Sequence, residues 1–154
     1  NNLKSRIKIS KDKFYETCKI YENNKSIYFL QKYNQEKSVK KIYVYNHSFL
    51  NAISHVKKFK NEFSNMIFLE LIHKYKEVYY LDSIDFYIES KNIAIVAIPF
   101  FNRFLMNNAL KKIIKNAHEF GINEINIITI SNNEKISDPK LKINIIPFYE
   151  WAIS

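Results

Sequence analysis

Ile93-Ala-Ile-Val-Ala-Ile98 is the stretch that most restricts how this chain folds: six apolar residues in a row, closed by Pro99. A strand with one wet face alternates apolar and polar side chains, whereas an unbroken apolar strand needs cover on both faces. Proline cannot donate to a sheet ladder, so Pro99 ends the run. Just upstream, Ile84 to Ile88 reads as a second strand, with a single carboxylate, Asp85, among apolar neighbours. Two adjacent strands with this composition belong in the middle of an α/β domain.

The flanking pattern supplies the covering layers. From Asn61 to Tyr75 a helix is expected, with Phe63, Met66, Ile67, Leu71 and Tyr75 as its apolar stripe and Glu70 on or beside it. Glu77 to Leu81 precedes the two strands as a third. Leu105 to Phe120 reads as an amphipathic helix with Leu105, Ala109, Ile113 and Ala117 inward, Lys111, Lys112 and Lys115 outward, and Gly121 at its C′ position. Glu124 to Ile130 is another buried strand, Ser131 to Pro139 a polar loop, Lys142 to Ile146 an edge strand, and Phe148 to Ile153 a short closing helix. Before Asn61, residues 10–23 form a helix capped by Ser10, with Phe14, Thr17, Cys18 and Tyr21 at helical spacing. Ser26 to Leu30 and Lys41 to Tyr45 then read as a two-stranded ribbon. Helix followed by ribbon resembles the back half of a winged helix, and the expected division is residues 1–45 for this segment and 46–154 for the α/β domain.

With 154 residues the chain can fill one core. No apolar run approaches the roughly 20 residues of a membrane span, which points to a cytoplasmic protein. Its one cysteine, Cys18, excludes an internal disulfide and reads as a small buried hydrophobe. The single glycine, Gly121, excludes a Walker A loop and a dinucleotide-binding turn, which both need several glycines for close approach of backbone to phosphate. No initiator Met opens the chain, so a fragment of something longer is expected. The net charge of +9 is uneven: residues 1–60 hold 14 Lys and Arg against 4 Asp and Glu. Lys8, Lys11, Lys13, Lys40, Lys41, Lys57, Lys58 and Lys60 are therefore the candidate nucleic-acid contacts, because basic clusters neutralise phosphates and release counterions. The competing explanation is a solvated lysine-rich surface. Aromatic residues among the lysines of residues 14–45 could stack on bases, although core packing explains most of them.

The helix–three strands–helix–strand order resembles the core of the PD-(D/E)xK nucleases, a restriction-endonuclease-like α/β fold with a mixed sheet. More narrowly, the chain from about Lys40 onward resembles the C-terminal domain of a family of prokaryotic AAA-type P-loop ATPases. The residues that carry this likeness are Lys41-Ile-Tyr-Val44, Asn65-Met-Ile-Phe-Leu-Glu-Leu71, Val78-Tyr-Tyr80, Ile84-Asp-Phe86, the Leu110-to-Gly121 helix, Ile127-Ile-Thr129 and Ile145-Ile-Pro-Phe-Tyr-Glu-Trp151. They follow family patterns of the form K-x-Y-F-x-D-x-G-L, E-N-x-V-F-x-E-L, E-V-D-F and V-I-P-L-W-x-W-L. The likeness implies an ATPase domain upstream in the same polypeptide as one partner; the basic charge of residues 1–60 makes DNA the candidate second, with oligomers open.

In that family a strand Asp and a following Glu bind a divalent metal, and a Lys two residues later assists the attacking water. Asp85 matches the first acid, but Val96 and Ile98 stand where the Glu and Lys would be. Asn46, Ser48, Ser64 and Ser83 replace further patterned residues. The expectation is thus a pseudo-nuclease with no cofactor, in which Asp85 and Glu70 are vestigial and Asp85 is a weak metal candidate. The favoured reading of Asp85 is a carboxylate at a sheet's end, satisfied by backbone N–H groups or a nearby lysine. His47, His55, His73 and His118 have no shared metal spacing. Two other readings compete: an active Mg- or Mn-dependent nuclease with a site rebuilt from Asp85, Glu70 and Asp82 or Glu89, and a purely structural oligomerisation domain.

Overall fold

The computed structural model describes residues 10–46 and 58–154, and Lys8, Lys57, His47, His55 and Ser48 lie outside them. In chain order the elements are α1 (Lys11–Asn23), β1 (Ile27–Lys32), β2 (Lys41–Val44), α2 (Phe59–Lys74), β3 (Tyr79–Leu81), β4 (Ile84–Ile88), β5 (Ile93–Ala97), α3 (Asn107–Glu119), β6 (Glu124–Thr129), β7 (Glu134–Ile136), β8 (Lys142–Pro147) and α4 (Phe148–Ala152). The strands form one mixed α/β sheet in the order β2-β1-β3-β4-β5-β6-β8-β7. β4 and β5 pair antiparallel, while β5, β6 and β8 run parallel.

β5 sits between β4 and β6 and is covered on both faces, as its apolar run requires. Ala94 and Val96 join the core beneath α3, with Leu110, Ile113, Ala117, Ile125, Ile127, Ile143 and Ile145. Ile95 and Ala97 join the core beneath α2 and α4, with Phe63, Ile67, Phe68, Leu71, Phe86 and Trp151. Successive side chains of a strand point to opposite faces, so one strand feeds two cores.

Several local expectations shift by a turn or less, with identifiable causes. Helix α3 begins at Asn107 rather than Leu105 because Asn102 holds the preceding turn: its Oδ1 accepts from the backbone N–H groups of Phe104 and Leu105. The buried face is therefore Leu110, Ile113 and Ala117, and Leu105 and Ala109 are exposed. On α2, Met66 faces out while Ser64, Asn65 and Phe68 are buried, because the helix covers the ribbon as well as the central sheet. Ser131 to Pro139 is not only loop: Glu134–Ile136 pairs with β8 and becomes the sheet edge, which places β8 inside. Helix α1 starts as expected, with the Ser10 hydroxyl accepting from Lys13 N–H, but buries none of its residues, and Cys18 is only half-covered.

Gly121 sits where only glycine is free of strain. Its φ is +63°, its N–H donates to the His118 carbonyl, and the Ile122 N–H reaches the Ala117 carbonyl. This is a Schellman cap, with Ile122 and Ala117 buried beside each other.

The ribbon β1–β2 is anchored in an unexpected way. β1 joins β3 through only two residue pairs, Gln31 with Tyr79 and Lys32 with Tyr80. Three strand spacings in a flat sheet would put β2 about 14 Å from β4. Yet the Tyr43 ring lies 5.5 Å from Phe86 of β4 and stacks on Phe68 at 4.2 Å. The ribbon therefore curls over the α2 side. Asn65 holds it there: its Oδ1 accepts from Val44 N–H and its Nδ2 donates to Val44 C=O, both at 2.8 Å. A helix side chain thus stands in for a neighbouring strand. Asn65→Leu leaves both Val44 groups buried without partners and should destabilise the protein by about 2–4 kcal/mol, measured as a lower urea midpoint at unchanged slope. Gly121→Ala should cost about 1–2 kcal/mol through its positive φ alone, since space for the added methyl is free.

Candidate functional site

Where β4 leaves the ladder, Asp85 takes over the role of a strand. The paired register of β4 with β5 ends at Phe86 and Ile95. One residue further, the Asp85 carboxylate accepts from Ala97 N–H at 2.9 Å, while the next N–H, of Ile98, turns the other way to the Ile128 carbonyl. The second Asp85 oxygen lies 3.8 Å from Lys41 Nζ. Both oxygens of this half-buried acid are thus engaged by the protein itself.

Lys41 reaches the acid from the curled ribbon. Its ammonium lies 4.6 Å from the centroid of the Tyr80 ring, and Tyr80 is oriented by its hydroxyl, which donates to the Val39 carbonyl. Burial lowers the Lys41 pKa below its ordinary value; Asp85 opposes the shift, and the neighbouring charge of Lys60 adds to it. The ring of Tyr43, two residues along the ribbon, is buried so well that its hydroxyl pKa is raised.

Lys41, Lys60 and Asp85 line two adjoining clefts, and the ion pair stands between them. One, of about 240 Å³, has Val96 and Ile98 as its floor and Met106, Ala109 and Lys112 as its far wall. The other, of about 460 Å³, is lined by Tyr43, Asn61, Ser64 and Asn65. Among the described residues that line them, three ammonium groups face one carboxylate, which makes the groove cationic. Its polar lining can accept an anion, and its hydrocarbon floor supplies no ligand for a cation.

Of the expected lysines, Lys41 and Lys60 come together here, from segments 19 residues apart in the sequence. Lys40 and Lys58 are exposed beside them in the chain, and Lys11 and Lys13 lie on α1, with Lys11 over the Tyr15 ring. Lys112 belongs by spacing to the outward face of its helix, yet it lines the cleft. It neighbours Ile113 of the buried stripe and lies one turn from Ala109, an exposed residue that also lines the cleft, a placement its lysine-rich helix face hides in the sequence.

The carboxylates of a rebuilt nuclease site do not gather. Asp82 pairs with Lys32 at 2.9 Å, Glu89 accepts from the Tyr33 hydroxyl at 2.6 Å, and Glu70, half-covered on α2, lines neither cleft. Among the described residues no three His, Cys, Asp or Glu side chains form a group that could hold a metal ion. His118 faces Asp138 at 3.6 Å, and His73 lines a separate groove with Tyr28 and Tyr45. Among the described residues no helix is long and apolar enough to cross a membrane. Comparison with protein-family models, curated proteins and solved structures returns no match for this chain.

The Lys41 environment gives a direct readout. After reductive ¹³C-methylation, the Lys41 signal should titrate at lower pH than the exposed lysines. In Asp85→Asn it should fall further, because the main opposing charge is then gone. A Lys41 signal that titrates with the others would mean the groove is fully hydrated.

Proposed function

We propose that this chain is a catalytically silent, restriction-endonuclease-like module that holds nucleic acid in the Lys41–Lys60–Lys112 groove beside an ATPase domain of the same polypeptide. The observation that carries this reading is the state of Asp85. Its two oxygens serve Ala97 N–H and Lys41, and Val96 and Ile98 fill the floor where a metal-binding acid and a lysine would stand in a nuclease. The same cleft has Asp85 as its one carboxylate against three lysines, which suits a phosphate backbone. The ribbon β1–β2 then has a place in the design, since it carries Lys41. The ATPase half of the proposal stands on the sequence likeness alone.

Labelled DNA titrated against the protein across a salt series, with and without manganese, tests the reading. Binding should weaken steeply with salt. Lys41→Gln, Lys60→Gln and Lys112→Gln should each lower the slope of log K against log salt by about 0.7–0.9, the value expected when one phosphate is no longer neutralised. Asp85→Asn should bind DNA at least as tightly as the parent. Manganese-dependent cleavage that disappears in Asp85→Ala would overturn the proposal, and so would affinity no greater than non-specific background at physiological salt.

A further inference from the structure

We propose that the groove continues into an aromatic platform that stacks the bases of a single-stranded nucleic acid. This rests on the reading of the groove as a nucleic-acid site and adds the class of strand it takes.

Pro99 stops β5, and the segment from Phe100 to Met106 runs from the end of that strand to the start of α3. Its two flanks, Ile98 and Met106, both line the cleft that holds Lys41, Lys60 and Lys112. The segment between them adjoins that cleft in the chain without lining it. Along it, Phe100 is 73% exposed, Phe104 93% and Leu105 85%. Arg103, between the two phenylalanines, is also exposed. Phe59 directly precedes Lys60, and its half-exposed ring stacks on Phe100 with centroids 5.7 Å apart and planes at 29°.

Core packing does not explain these rings. Phe63 and Phe101 are buried, whereas Phe104 stands in water and Phe100, stacked on the Phe59 ring that directly precedes Lys60 of the groove, stays largely exposed. Three large apolar side chains exposed within six residues of chain, Phe100, Phe104 and Leu105, point to a ligand or partner surface. The cations decide which. An apolar protein face would leave Lys60, Lys112 and Arg103 without counter-charges, while a polynucleotide offers phosphates to the groove and ring faces to the phenylalanines. Proteins that bind single strands combine these two features, a positive track and successive aromatic platforms. A duplex keeps its bases stacked inside and presents ring faces only at its ends, so the platform selects unpaired strands.

The test uses the whole 154-residue chain, a labelled oligothymidine, an abasic strand of the same length and a duplex, each followed by anisotropy. Oligothymidine should bind more tightly than either of the others. Phe100→Ala and Phe104→Ala should each weaken oligothymidine about tenfold, leaving the abasic strand and the salt slope unchanged. Lys60→Gln should weaken both strands and lower the slope. Both phenylalanines are exposed, so their removal leaves the core intact, and far-UV circular dichroism verifies it. Equal affinity for oligothymidine and the abasic strand, or Phe variants that bind oligothymidine like the parent, would overturn the platform while the groove stands. Failure of every strand and of the duplex to bind would overturn the groove and the platform together.

Discussion

The dry strand β5 organises the molecule. Every second side chain points to an opposite face, and all of them are apolar, so neither face can be left to water. Helix α3 covers one side and α2 with α4 the other, and the rest of the sheet grows outward from this centre. The closing helix is held by more than hydrophobic packing. Lys74, in the last turn of α2, donates to the carbonyls of Ala152 and Ser154 and lies over the Trp151 ring. A cation there also suits the negative end of its own helix.

The groove is a consequence of how this sheet ends. β4 and β5 are equally long, but their paired register stops at Phe86 and Ile95, and the gap beyond is bridged by a side chain, Asp85, rather than by backbone. A carboxylate in that position has its two oxygens satisfied by an N–H group and an ammonium. Lys41 arrives because the ribbon curls over α2, and the curl depends on Asn65 and on Tyr43 packed between Phe68 and Phe86. Stability and site chemistry meet in these residues. Loosening the ribbon would remove Lys41 from Asp85 and open the groove.

Much of the order was legible from local rules. Ser10, Pro99 and Gly121 mark an N-cap, a strand end and a C-cap by backbone chemistry that needs no partner. The succession of helices and strands from Phe59 to Thr129 followed from hydrophobic period alone. Faces were less legible than elements. Leu105 and Ala109 look inward by spacing, but the Asn102 turn delays the helix and moves the stripe to Leu110. β7 is three residues with one buried side chain, too short for a period to register. Within the groove, Asp85 was readable as a satisfied strand-end acid, while Lys112 was hidden by its membership of a lysine-rich helix face.

By itself the sequence determined that a two-faced core must exist, that β5 lies at its centre, and that Val96 and Ile98 are hydrocarbon wherever they fall. These are properties of side chains and of nearest neighbours along the chain. Which residues share the groove was decided only by tertiary structure. Lys41, Lys60, Asp85 and Lys112 come from four different elements, and their meeting depends on the curl of the ribbon and the crossing of two helices over the sheet. The same holds for Phe59 against Phe100. Such meetings arise from packing between distant segments, which no local periodicity encodes.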